Sequence, residues 1–410
     1  MEFNDPNNQP GLAETTELNI GFMRSTDSAP LIIAKAENFF ERYGLKVNLC
    51  RETSWASIRD KVVSGNLDAA QMLAPMPLIC TPGIKNKRSP FITGLLLSLN
   101  GNAITLSSPI SKALNLKSCC IIKDRPAPML AAHSLAKLIK NHPRELTFAT
   151  VYPYSMQTFE LRDWLESGGI KPDHDVKIVV LPAEQMVDNL ARGNIDGFCV
   201  EEPWNTLAVQ SGIGQIMTTG HQIWNNAPEK ALVVTEQWHQ QHPDTHLRIR
   251  LAVMEAALWL SHPENRLQAI KLIASKTYLD LPEHVIKPAL LGNIQYSLQN
   301  EVISNPDFLV FQRYHAGFPW HSSAEYILRR NYALQDEHYD CSTICHLRQR
   351  IYRTDLYREA AIRLGYNYPQ RDFKPEGIHD TAYAFEQGIE LGPDQLLNGK
   401  KYSPCKHKNT

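Results

Sequence analysis

Two short segments of the chain repeat one another: Val63-Ser64-Gly65-Asn66-Leu67-Asp68-Ala69 and Ala191-Arg192-Gly193-Asn194-Ile195-Asp196-Gly197. Each reads as a helix closed by glycine, a polar turn, and a short apolar strand (71–77 and 198–204) leading into a proline-bearing loop. Each repeat sits in a stretch with strand–helix–strand grammar. The first has strand 18–23, helix 30–43 and strand 45–50; the second has strand 146–153, helix 156–168 and strand 176–182. Strands joined through a helix lie parallel, so the pattern predicts an α/β chain with two similar lobes. In open sheets of this kind ligands bind beyond the carboxyl ends of the strands, where both proline-bearing loops fall.

Beyond about residue 235 the grammar changes to amphipathic helices, expected at 246–261, 264–275, 283–292, 323–334 and 352–364. Residues 366–410 read as a wrapped or mobile tail. With 42 Lys and Arg against 43 Asp and Glu, the net charge is −1. No global positive field recruits nucleic acid or an anionic membrane, so neither is an expected direct partner. The first 17 residues carry no Lys or Arg and no apolar run of signal-peptide length, and no stretch is long enough to span a bilayer. A cytoplasmic location is expected, unless the true start lies upstream.

Eight cysteines fit a reducing compartment. Cys119 and Cys120, beside Ile121 and Ile122, read as a buried strand. His338, Cys341, Cys345 and His346 match no common zinc spacing and lie in helical sequence, so no metal and no cofactor is expected. His239, His242 and His246 read as solvated. Phosphate-cradling and hydrolase motifs are missing, and no nucleophile–base pair follows from spacing. The expectation is a binding protein, not an enzyme.

An ordered series of short motifs carries a resemblance. It comprises Ser54-Trp55-x3-Arg59-Asp60, Asp68-Ala69-Ala70-x4-Pro75-Met76-Pro77, Tyr152-Pro153-Tyr154-Ser155 and Trp164-Leu165-x2-Gly168-Gly169-Ile170. It continues with Asp196-Gly197-Phe198-Cys199-Val200, Glu202-Pro203-Trp204-Asn205, Ala227-Pro228-Glu229-Lys230 and Tyr352-x2-Asp355-Leu356-Tyr357. Across roughly residues 17–380 the chain resembles the nitrate- and bicarbonate-binding proteins of ABC transporters, and more closely the cytoplasmic nitrate/nitrite sensors of bacterial nitrate assimilation. The resemblance implies a type II periplasmic-binding-protein fold with a ligand cleft between two lobes. Lobe I would comprise 17–105 and 232–380, lobe II 106–231, and 381–410 a C-terminal tail.

The resemblance also implies a site. A planar, singly charged anion in a dry cleft needs a compensating cation, neutral donors and a flat wall. Lys230 matches the cationic position, Trp55 the stacking wall with its indole N–H, and Asn102 an amide donor. Two positions depart from the pattern. Gln157 stands where the sensors carry histidine, and Glu201 stands where a glycine usually precedes Glu-Pro-Trp. Three placements stay open for Glu201: facing the anion, pointing outward, or pairing with a lysine or arginine such as Lys230.

The expected function is a cytoplasmic sensor that closes on nitrate or nitrite and regulates an RNA-binding antiterminator with an ANTAR domain. The alternatives are the solute-binding component of a nitrate/bicarbonate-type ABC transporter and an enzyme on the same fold, similar to the thiamine-pyrimidine synthases.

Overall fold

The computed structural model describes residues 11–80, 90–116, 121–122, 125–335, 340–397, 399–402 and 404. Cys119, Cys120 and His338 lie outside the described residues. In chain order the elements that build the site begin with β1 (Glu17–Met23), α1 (Ala29–Ala36), β2 (Lys46–Glu52), α2 (Trp55–Ser64), β3 (Ala69–Leu73) and β4 (Phe91–Asn100). There follow β5 (Asn102–Ser107), β6 (Leu146–Thr150), α3 (Met156–Ser167), β7 (Val176–Val180), β8 (Gly197–Glu201), α4 (Trp204–Gln210) and β9 (Gly214–Thr219). β10 (Pro228–Thr235), α5 (Pro243–Trp259) and β11 (Leu309–Val310) complete the set.

Two sheets result. The first has the order β11-β4-β10-β3-β1-β2, the second β9-β5-β8-β6-β7. β1 runs parallel to β2 and β3, and β6 parallel to β7 and β8, as the strand–helix–strand pattern requires. β4 and β10 pair antiparallel in the first sheet, and β5 pairs antiparallel with β8 and β9 in the second. This is the two-lobed α/β periplasmic-binding-protein fold expected from the sequence.

The sequence repeat is a repeat of one physical device. Gly65 and Gly193 take left-handed φ values of 77° and 72°, which terminates the preceding helix at no Cβ penalty. Three residues later Asp68 Oδ2 accepts the backbone N–H of Asn19 at 2.8 Å, and Asp196 Oδ2 accepts that of Thr147 at 2.8 Å. Each aspartate thereby ties the turn to the strand that opens its own strand–helix–strand unit, β1 or β6.

β4 continues into β5 across a single sharp bend, so one strand enters both sheets. Asn100 and Gly101 make the bend with φ of 59° and 99°. A Cβ at Gly101 would also meet Leu309 Cδ1 at 3.0 Å. The chain returns through residues 220–227 to β10. Asn100 joins the two crossings: its Oδ1 accepts Ala227 N–H at 3.1 Å and its Nδ2 donates to Asn226 Oδ1 at 3.3 Å.

Several local expectations change. The helix expected over 30–43 breaks, because Asn38 adopts φ 59° and a separate turn, Phe39–Arg42, follows. The proline-bearing loops are themselves helical, as Pro75–Cys80 and as α4, since proline is tolerated in a first helical turn. His246 is fully buried on α5, with Nδ1 3.1 Å from His239 Nδ1, because that face of α5 packs inward. The tail packs as a wrapped segment: Tyr383–Glu386 and Ile389–Leu391 form a hairpin, and Leu396 bridges to Trp224. Cys341 and Cys345 lie on the helix Cys341–Ile351. Among the described residues no helix is long and apolar enough to cross a membrane.

Candidate functional site

The carboxyl ends of β1, β6 and β8 and the amino end of β10 converge between the two sheets. Trp55 is the first residue of α2, whose start is fixed by Ser54 accepting Ser57 N–H at 3.1 Å. Its ring centroid lies 5.3 Å from Lys230 Nζ, within cation–π range. Asn102 opens β5 immediately after the Asn100–Gly101 bend. Gln157 lies in the first turn of α3, capped by Ser155 through Thr158 N–H at 3.1 Å. Glu201 ends β8, opposite Asn102 in the ladder. The structure therefore brings all five expected residues into one place, and all are buried.

Their partners differ from expectation. Lys230 is not a free cation: Nζ lies 2.8 Å from Asp27 Oδ2 and 2.6 Å from Glu229 Oε1. Burial opposes its charge, but Asp27, Glu229 and Glu201 outweigh that and hold the ammonium above its usual range. Asp27 is itself positioned by Ser25 Oγ at 2.6 Å and Gln71 Nε2 at 2.8 Å.

The two amides spend their N–H groups on carboxylates. Asn102 Nδ2 donates to Glu229 Oε2 at 2.7 Å and Glu160 Oε2 at 3.1 Å, so it is an internal linker and not a turn side chain. Gln157 Nε2 donates to Glu201 Oε2 and Glu229 Oε1, both at 2.8 Å, and contacts Asn102 Oδ1 at 3.1 Å. The donor expected of Gln157 is thus already engaged.

Glu201 does not point outward, and among the described residues no lysine or arginine lies within ion-pair distance of it. It faces inward onto Gln157, because β8 alternation turns residue 201 toward the cleft while Glu202 takes the other side. Burial pushes the Glu201 carboxyl up to about 7, against the pull of Lys230. Burial, reinforced by Glu229, raises Glu160 well above the carboxylate range. Glu229 is raised by burial too, with Lys230 opposing. One ammonium and four carboxyl groups, from Asp27, Glu160, Glu201 and Glu229, therefore share a single dry network. Two like unit charges 4 Å apart cost on the order of 4 kcal/mol at an effective dielectric near 20, so such a cluster sheds charge by taking up protons.

Asp27, Glu160 and Glu229 were not among the expected site residues. Glu160 carried a usable signal, since it lies three residues after Gln157 on one face of α3. Glu229 carried a misleading one. Strand alternation sends neighbours to opposite faces, but the register of β10 against β4 slips on both sides of Lys230, and both side chains turn inward.

Four polar atoms in this network have no hydrogen-bond partner among the described residues, Trp55 Nε1, Gln157 Oε1, Glu160 Oε1 and Glu201 Oε1, and Asp27 Oδ2 has only its ion pair with Lys230. Buried polar groups are nearly always paired, so these mark where a ligand's own donors and acceptors would sit. Closing contacts surround them. Thr26 N–H donates to the Glu202 carbonyl at 2.8 Å, Arg24 pairs with Glu184 at 3.1 Å, and Arg59 Nη1 reaches Tyr152 Oη at 2.9 Å. Each runs from the first sheet's lobe to the second's.

Comparisons with known proteins agree with this architecture. Residues 11–274 match the model of the NMT1-like family. The nitrate import ATP-binding protein NrtC of Synechocystis sp. is 36% identical over 388 residues, 94% of this chain but 54% of that protein. The chain thus spans about half the length of that relative. The nitrate/nitrite binding protein NrtA of Synechococcus elongatus is 31% identical over 405 residues, 96% of this chain and 88% of NrtA. The crystal structure of the periplasmic nitrate-binding protein NrtA from Synechocystis PCC 6803 superimposes with a TM-score of 0.83 at 26% identity, covering 96% of this chain and 97% of that one. A family model over more than half the chain, and a relative at 31% identity over nearly its full length, establish that the chain belongs to the NMT1-like family, among the solute-binding proteins of the NrtA type.

Proposed function

We propose that this chain is a solute receptor that closes its two lobes on one small planar oxyanion of the nitrate and bicarbonate class and releases it unchanged. The observation that carries the reading is the convergence of Trp55, Gln157, Glu201 and Lys230 at the junction of both sheets, with Trp55 Nε1, Gln157 Oε1 and Glu201 Oε1 unpartnered. Trp55 offers a flat face and one N–H, which suits a planar ion. The NrtA relatives, named for nitrate and nitrite binding, support the ligand class, and NrtC, named for nitrate import, supports handover to a transporter. The relatives named as nitrate-binding proteins support a binder in preference to an enzyme.

A thermal-shift panel with nitrate, nitrite and formate at pH 6 and bicarbonate at pH 8 tests this. A ligand at a hundred times its Kd adds about 2.7 kcal/mol of stability, a readily visible shift. No shift with any of the four at millimolar concentration contradicts the reading.

The finer reading, a cytoplasmic sensor that controls an ANTAR-domain antiterminator, rests on the motif resemblance and uses the same closure with a protein partner in place of a transporter. A ligand can bias that switch only by its differential affinity for the closed state. Co-purification with such an antiterminator in the absence of nitrate, and release on its addition, supports it. A complex unaffected by any oxyanion, or no complex, rules it out.

A further inference from the structure

Glu201 combines full burial, one amide partner and, among the described residues, a second oxygen with no hydrogen-bond partner; Glu160 also leaves Oε1 unpartnered, but a thiol as well as an amide reaches its other oxygen. Glu160 is shared between Asn102 and the Cys199 thiol at 3.8 Å, and Glu229 and Asp27 are both committed to Lys230. The groups facing Glu201 come from every neighbouring element. Gln157 and Glu160 approach from α3, Asn102 from β5, Glu229 and Lys230 from β10, and Asp27 from the turn after β1. Its own strand adds Cys199, and Glu202 directs its carboxylate away onto Thr206 N–H at 3.1 Å.

Lys230 already balances one of its two partner carboxylates, so the network has no positive charge left for an incoming anion. Nitrate adds a negative charge and offers only acceptor oxygens. Glu201 Oε1 is an acceptor as well while ionised, and two acceptors cannot satisfy each other. Both problems vanish together if Glu201 carries a proton: one charge disappears, and the new O–H becomes a donor aimed at an anion oxygen.

Resting on the oxyanion reading of this site, we propose that Glu201 makes binding proton-linked, each acceptor-only anion entering together with one proton that stays on the Glu201 carboxyl and hydrogen-bonds the anion. The raised range of this carboxyl, about 7 under the pressure of burial, sets the window in which the linkage operates. Below it the proton is already in place and affinity is level. Above it each nitrate must bring one proton from solvent, and affinity falls tenfold per pH unit. Glu201 then acts as a specificity residue too. Bicarbonate carries an O–H of its own and can donate to the ionised carboxylate, whereas nitrate and nitrite cannot.

Nitrate is the suitable probe because it does not itself titrate in this range. Calorimetric titration of the full chain from pH 5.5 to 8.5, in two buffers of different ionisation enthalpy, measures both affinity and protons taken up. The wild type is expected to lose about tenfold in affinity per unit above pH 7, with uptake approaching one proton per nitrate. Glu201→Gln keeps an amide donor and carries no charge, so its affinity should be level with pH, without proton uptake, and at least tenfold tighter than wild type at pH 8.5. Glu202→Gln should retain the wild-type profile. A wild-type affinity that is level across the range, without proton uptake, overturns the proposal and leaves the oxyanion reading standing, and this outcome needs no variant to fold. An identical slope in wild type and Glu201→Gln overturns it as well. No binding of nitrate or nitrite at pH 5.5, together with no binding of bicarbonate at pH 8, overturns both.

Discussion

Lys230 Nζ lies 2.8 Å from Asp27 Oδ2, and neither side chain reaches solvent. The pair joins the turn after the first strand to the strand that returns from the second sheet, so it holds the floor of the candidate site in register. Removing one partner of a buried pair leaves the other charge stranded, which costs about 3–5 kcal/mol. Lys230→Met is therefore expected to lower unfolding stability by about that amount at pH 7.5, measured by urea denaturation, and to abolish oxyanion binding. Unchanged stability would mean that the carboxylates are already protonated in the native chain.

A second prediction concerns pH and stability. Burial pushes the Glu202 carboxyl up to about 7, while an unfolded glutamate titrates near 4.3. Between roughly pH 4.5 and 7 the folded chain holds this proton more tightly than the unfolded chain, so stability falls as pH rises through that window and stays lowered above it. The ceiling for this one group is about 4 kcal/mol. Glu202→Gln keeps the oxygen that accepts Thr206 N–H and removes the charge. Its Tm should exceed that of wild type at pH 8 and match it near pH 4.5. Equal Tm values at both pH values would show that Glu202 is not held near 7.

The bend between the sheets makes a third. Gly101 sits at φ 99° with Leu309 Cδ1 3.0 Å from where a Cβ would stand. Gly101→Ala is expected to destabilise by at least about 1 kcal/mol and to weaken ligand binding, because the strain falls on the crossing that sets the lobe angle. Chemical denaturation and a binding isotherm on the same sample check both halves.

The lobe-to-lobe contact of Arg59 with Tyr152 Oη at 2.9 Å gives a fourth. It is partly exposed and worth less than about 1 kcal/mol, so Arg59→Ala should weaken ligand affinity about threefold. Tyr152→Phe should do the same, and the double variant no more, since both remove one contact. Additive losses would show that the residues act separately.

The glycines and aspartates of the repeat were legible in the sequence because their role is local. A helix end, a turn and a first strand ladder involve residues close along the chain, and the same four-residue solution appears at Gly65–Asp68 and Gly193–Asp196. Trp55, Gln157, Glu201 and Lys230 were legible only through resemblance, and their mutual bonding was not. That bonding depends on a register slip at Lys230 that turns two neighbours to one face, and on the bend that carries Asn102 between Glu160 and Glu229. Neither follows from periodicity. The acidic surplus stayed hidden because its members come from four separate elements, and formal charge near zero over the chain says nothing about one dry cluster.

The proposed site for a single small oxyanion is where Trp55 and Lys230 meet. Isothermal titration with nitrate and nitrite at pH 6 and with bicarbonate at pH 8, run on wild type and on Trp55→Ala, is the decisive measurement. Saturable one-to-one binding of at least one of the three to wild type is expected, with its loss or a weakening of tenfold or more in Trp55→Ala. No saturable binding to wild type, or undiminished binding to Trp55→Ala, would contradict it.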